Sequence, residues 1–168
     1  MLERKAHHDR DDLAGEHEFG DAGQVLLLVV FLVVWIGDSF IRHYTDFLAR
    51  WVPVYGRITA GALILILSGY IAKSGLSIVF DDTRVHTGVI REGIFGRVRH
   101  PVYLGSLLFY LGLTVITFSI ASAVVLLLAI VFYSYIASYE ERLLIEKFGD
   151  EYRKYRGEVP RWFPLWKK

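Results

Sequence analysis

Two clusters of ionisable residues bracket the longest uncharged stretch of the sequence. Arg99-His100-Pro101 stands at its entrance and Glu140-Glu141 at its exit. The 39 residues from 101 to 139 contain no Asp, Glu, Lys, Arg or His. The clusters offer a fixed cation, an imidazole that titrates near neutrality, and two carboxylates. Far apart in sequence, they become neighbours if the stretch between them folds back on itself. A helix crossing a hydrocarbon core of roughly 30 Å needs about 20 residues, so the stretch predicts a helical hairpin over 101–118 and 120–139. Its turn runs through Thr117-Phe118-Ser119-Ile120-Ala121-Ser122. His100 lies 19 residues before Ser119 and Glu140 lies 21 after it, so both reach the same interface at similar depth. Interface anchoring is the competing role for such charges.

Residues around the entrance extend this chemistry. Pro101 fits the first turn of a helix, where a missing N–H costs nothing, and the uncapped donors beyond it can receive a carboxylate beside Arg99. Gly105 either opens a groove for a ligand or lets two helices approach closely. Upstream, Thr87-Gly88-Val89-Ile90-Arg91-Glu92-Gly93-Ile94-Phe95-Gly96 supplies three glycines for a close-approaching segment. Phe95 can stack on a planar group or anchor at the interface. Beyond the exit, a polar helix from Glu140 to Lys147 carries Leu143, Leu144 and Phe148 as an apolar stripe, and Gly149 marks its cap. Charges of alternating sign follow, and Trp162, Phe163, Trp166, Lys167 and Lys168 read as a membrane-surface clamp.

The elements that must position these residues are apolar blocks. Hydrophobic residues make up 54% of the 168, yet 22% are charged, and the charges are missing from long runs. The blocks predict an all-α integral membrane protein of about four transmembrane helices, 22–42, 54–73, 101–118 and 120–139, ending in the hairpin. Arg57 extends the second toward the headgroups. Segment 38–56 reads equally as an interfacial helix or as the end of a longer first span. Four spans place 16 of the 19 Lys and Arg residues on one side, which predicts a multi-pass protein with both termini in the cytoplasm.

Residues 1–21, with seven acidic side chains and three histidines, read as a mobile polar tail rather than a signal peptide. A net charge of +1 excludes bulk polyanion binding, so no nucleic-acid partner is expected. The absence of cysteine excludes disulfides and thiolate-bound metal. No metal site is expected. No Walker loop, HExxH, serine elbow or dinucleotide-binding turn is present.

Taken together, Gly93-Ile94-Phe95-Gly96-Arg97-Val98-Arg99-His100-Pro101-Val102-Tyr103-Leu104-Gly105, then Glu140-Glu141-Arg142-Leu143-Leu144 with Phe148-Gly149-Asp150-Glu151-Tyr152, Tyr155 and Val159-Pro160, resemble the isoprenylcysteine carboxyl methyltransferase and phospholipid methyltransferase superfamily. The resemblance covers roughly 87–164. It implies an integral membrane methyltransferase domain over 22–168 that binds S-adenosylmethionine in a cytoplasm-facing pocket. It carries cofactor contacts to Thr87, Gly88, Val89, Ile90, Phe95, His100, Pro101, Val102, Tyr103 and Glu140. Arg99 and Glu141 are assigned to substrate or to supporting contacts.

The resemblance leaves the acceptor open. Where isoprenylcysteine methyltransferases carry an arginine four residues before the double glutamate, this chain has Ile136. A phospholipid headgroup amine is therefore favoured over the carboxylate of a prenylated cysteine, with a non-catalytic membrane scaffold as the reading from a different class. No catalytic base is assigned. With four spans, the lipid-binding chamber is expected to be open laterally or completed by a second copy in a homodimer.

Overall fold

The computed structural model describes residues 20–80 and 88–163, so the leader 1–19, Thr87, Trp166, Lys167 and Lys168 lie outside the described residues. Five α-helices carry the fold: α1 (Gly20–Ile36), α2 (Val54–Val79), α3 (Pro101–Thr117), α4 (Ile120–Phe148) and α5 (Asp150–Glu158). Three helical stretches, Ala22–Arg42, Val54–Val79 and Ile120–Phe148, are long and apolar enough to cross a membrane. Their outward residues, among them Val33, Ile66 and Val131, are exposed, as a lipid-facing surface requires. The chain is a multi-pass membrane protein. At 17 residues α3 is shorter, about 26 Å at 1.5 Å per residue.

Helix limits differ from the apolar blocks in instructive ways. Helix α2 continues past 73 to Val79, and α4 does not stop at 139 but carries the two glutamates as far as Phe148. The span and the polar helix beyond it are one rod. The turn between α3 and α4 is only two residues. Phe118 closes α3 in the left-handed region at φ 55°, its N–H bonded to Thr114 O at 2.7 Å. Ser119 then caps α4, its Oγ accepting from Ser122 N at 3.1 Å. That cap draws 120–122 into the first turn of the helix.

Packing between α2 and α3 relies on small residues. A Cβ on Gly105 would lie 2.8 Å from Ala72 Cβ, and one on Gly112 would lie 2.8 Å from the Leu65 side chain. The close approach lets Ser68 Oγ donate to Gly105 O at 2.8 Å. Gly105 is thus a packing residue. Helix α1 lies on α4, and Phe31 meets Tyr110 of α3 with ring centroids 4.6 Å apart.

Polar side chains fasten the end of the bundle where α3 turns into α4. Trp35 Nε1 donates to Leu113 O and Thr117 Oγ1, both at 3.1 Å. Arg57, expected at the headgroups, instead donates to Ile116 O at 2.9 Å, satisfying a carbonyl in the last turn of α3. Buried Asp38 sits in the π-helical turn Gly37–Arg42 that extends α1. It accepts from Ser119 Oγ at 2.5 Å, Thr45 Oγ1 at 2.6 Å and Thr45 N at 3.1 Å. Segment 38–56 divides: 38–42 continue the first apolar span Ala22–Arg42 as a π-helical turn, while Asp38 ties Thr45 back onto the α3–α4 turn and a short 3-10 helix follows at Phe47–Trp51.

Gly105→Val is expected to lower stability by about 1–3 kcal/mol by wedging α2 from α3. Gly157→Ala, in open space on α5, should leave it unchanged or slightly raised. Thermal melting in detergent checks both.

Candidate functional site

The segment before α3 folds against α5 rather than along the bundle. Arg91 donates to Glu158 Oε2 at 3.1 Å and to Glu151 O at 2.8 Å, while Glu151 Oε1 accepts from Val89 N at 3.2 Å. Tyr155 OH donates to Phe95 O at 2.7 Å. Beneath these contacts Tyr152, Tyr155 and Val159 form a small core with Val89, Leu144, Ile145 and Phe148. Burial pushes both phenols above their ordinary pKa of 10, so they remain neutral hydrogen-bonding groups. Gly93 turns the segment at φ 55°, where its missing Cβ also makes room for Ile78.

Glu141 locks this assembly to the bundle. Its carboxylate is 1% exposed and meets donors from four directions. Arg99 Nε and Nη2 approach Oε1 at 3.1 and 3.0 Å, and His100 Nε2 lies 3.2 Å from the same oxygen. Arg161 Nε and Nη2 grip the two oxygens at 3.0 Å each. Arg156 Nε reaches Oε2 at 3.3 Å. Arg99 also donates to Arg156 O at 2.8 Å and to Val159 O at 2.5 Å, tying the end of α5 to the start of α3.

Glu140, one residue earlier on α4, faces elsewhere. Oε2 lies 3.5 Å from His100 Nδ1, and Tyr103 OH donates to Oε1. The His100 and Tyr103 rings are parallel within 2°, with centroids 5.6 Å apart. His100 is therefore held between two carboxylates. Burial disfavours its charged form, but hydrogen bonds to Glu140 and Glu141 outweigh burial and raise its pKa above the ordinary 6.5.

Beside these groups is a cavity of about 340 Å³, within the roughly 300–1,000 Å³ of small-molecule sites. Its lining includes Gly88, Val89, Ile90, Phe95, Arg99, His100, Pro101, Val102, Tyr103 and Glu140. Sequence residues from three separate segments thus share one cavity. Glu141 does not line it. Leu144, Phe148, Tyr152 and Tyr155, which belong to the second motif but were not assigned to the cofactor, also line it, as do Gly20, Gln24, Leu76, Val79 and Phe80, which the sequence did not mark. Leu144 and Phe148 follow Glu140 by four and eight residues, so helical spacing was the available signal. No comparable signal pointed to Gln24. Trp162, read as a surface clamp, turns inward, its ring centroid 6.0 Å from that of His100.

Glu141→Ala strands Arg99 and Arg161 around a lost carboxylate and is expected to cost about 3–5 kcal/mol by chemical denaturation in micelles. Because the folded-state pKa of His100 is raised, its contribution to stability is full below the ordinary 6.5 and is lost as pH rises through the elevated value. His100→Gln should remove that alkaline decline.

Comparison with known proteins places the chain in a family. A phospholipid methyltransferase family model matches residues 56–151, more than half of the chain. That segment holds α2, α3, α4 and the loop carrying Phe95. Protein-S-isoprenylcysteine O-methyltransferase of Schizosaccharomyces pombe is 35% identical over 142 residues, covering 77% of this chain and 60% of that protein. The chain thus spans less than two thirds of the relative's length. No solved structure gives a significant match. By the matched segment and its motifs, the chain belongs to the phospholipid methyltransferase family, within the integral membrane methyltransferase superfamily that includes the isoprenylcysteine enzymes.

Proposed function

We propose that the cavity binds S-adenosylmethionine and that the protein methylates a lipophilic acceptor in the bilayer, a phospholipid headgroup amine being the favoured class. One observation carries the reading: Arg99, His100 and Glu140 place opposite charges on a cavity whose other lining, Gln24 apart, is aromatic, aliphatic and backbone surface. The donor's amino acid end has a carboxylate and an ammonium, and its other end has a planar base and ribose hydroxyls. The residues fit those parts. His100, the N-cap residue of α3, and the positive end of that helix suit the carboxylate. Glu140 suits the ammonium or the ribose hydroxyls, and Phe95 suits the base. Thr87, outside the described residues, joins this set through the motif.

When bound, the donor supplies a methyl group activated on a sulfonium. The chain's work is alignment and exclusion of water, since methyl transfer needs donor and acceptor in line. Leu76 and Val79 of α2, its C-cap Phe80 and Gly20 of α1 give the cavity an apolar flank, with the Gln24 amide beside them. A lipid acceptor would approach along that flank. Ile136 stands where a carboxylate acceptor would call for a cation, and it is buried in the bundle, which favours an amine. The Schizosaccharomyces pombe relative favours the second reading, O-methylation of a prenylated cysteine. The basic-residue bias supports four spans, α3 included, with both termini and the cavity on the cytoplasmic side.

Titration with S-adenosylmethionine is expected to saturate, with affinity falling as pH rises through the elevated His100 pKa. His100→Ala and Glu140→Ala should each weaken binding by about tenfold or more. Methyl-labelled donor offered to a native lipid extract plus a prenylcysteine analogue should label a headgroup amine, identified by mass. Label in the analogue alone would overturn the headgroup reading, and unchanged affinity in both variants would overturn the pocket.

A further inference from the structure

Arg161 lies outside the segment matched by the family model, 56–151, and outside both sequence motifs. It follows α5 in the tail that crosses back to α4. It does not line the cavity, yet it makes more contacts to Glu141 than its distance in sequence would suggest. Nε donates to Oε1 and Nη2 to Oε2, both at 3.0 Å, and Nη1 donates to Ser138 Oγ one turn earlier on α4, also at 3.0 Å. The adjoining Trp162 packs toward His100.

We propose that Arg161 is a positioning residue for the donor pocket, clamping Glu141 from the tail so that Arg99 and His100 are fixed on the cavity wall. This rests on the donor-binding reading above. A carboxylate rotates about its side-chain bonds unless both oxygens are held, and a bidentate guanidinium does this best. Arg99 and His100 both use Oε1. Without Arg161, Oε2 keeps, among the described residues, only Arg156, whose side chain is half exposed. The oxygen shared by Arg99 and His100 would then lose its fixed place. The bond from Glu141 Oε1 that favours the protonated His100 would weaken with it. The groups that bear on that imidazole are Arg99 beside it, Tyr103 on α3, Glu140 and Glu141 on α4, Trp162 in the tail, and, through Glu141, Tyr152 and Arg156 on α5.

The test follows the His100 ring by NMR in micelles across pH, with the resonance assigned by its loss in His100→Gln, and measures S-adenosylmethionine affinity on the same samples. Arg161→Gln is expected to move the His100 midpoint downward by about half a pH unit, since the Glu141 contact that raises it is no longer held, and to weaken donor binding roughly three- to tenfold. Arg161→Lys keeps the charge without the fork, so it should restore only part of both the midpoint and the affinity. An unchanged midpoint in Arg161→Gln overturns the proposal, as does a shifted midpoint with unchanged affinity. A lowered melting temperature alone would mark Arg161 as structural. If wild-type protein fails to bind the donor, the functional reading falls, while the midpoint still decides whether Arg161 governs His100.

Discussion

A single buried carboxylate ties the loop before α3, α5 and the tail to α4, on top of the packing and hydrogen bonds that join them pairwise. Glu141 accepts from Arg99 and His100 ahead of α3, from Arg156 on α5, and from Arg161 in the tail. A charge this deeply buried is tolerable only when fully paired, and its partners lose their own compensation if it is removed. The loop, the short helix and the tail are therefore fixed relative to α4 as a consequence of satisfying one charge. The cavity walls are built from the same pieces.

Neighbouring residues on a helix point about 100° apart, which is how adjacent glutamates come to do different work. Glu140 faces the cavity with Tyr103 and His100, while Glu141 faces the cations behind it. His100 spans the two, one ring nitrogen toward each carboxylate. The wall of the cavity and its foundation are thus coupled through one imidazole. At the far end of the bundle Asp38 plays a smaller version of the same part, drawing Thr45 and Ser119 around it and fixing the turn between α3 and α4. That turn sets how α3 and α4 align, and so the register that brings Tyr103 opposite Glu140.

Much of this was legible in the residues. The length of the uncharged stretch 101–139 put His100 near Glu140, because helix rise converts residue number into depth. The glycine-bearing segment and the two motifs named Gly88, Val89, Ile90, Phe95 and Val102, all of which line the cavity. What escaped was whatever depends on rotation or on tertiary return. Apolar blocks exposed to lipid carry little periodicity, so Gln24 gave no sign that it faces the cavity. Arg57 and Trp162 looked like interface anchors because position along the chain gives depth and not direction. Arg161 was invisible because its partner lies twenty residues back and no pattern announces the tail's return.

The central claim is that one cavity between the α3 entrance, α4 and α5 receives the methyl donor. Photocrosslinking of radiolabelled S-adenosylmethionine to the full chain in micelles, followed by peptide mapping, tests it directly. The account predicts label on the segments 88–103 and 140–155, competed away by unlabelled donor. Competable label confined to other segments would contradict it.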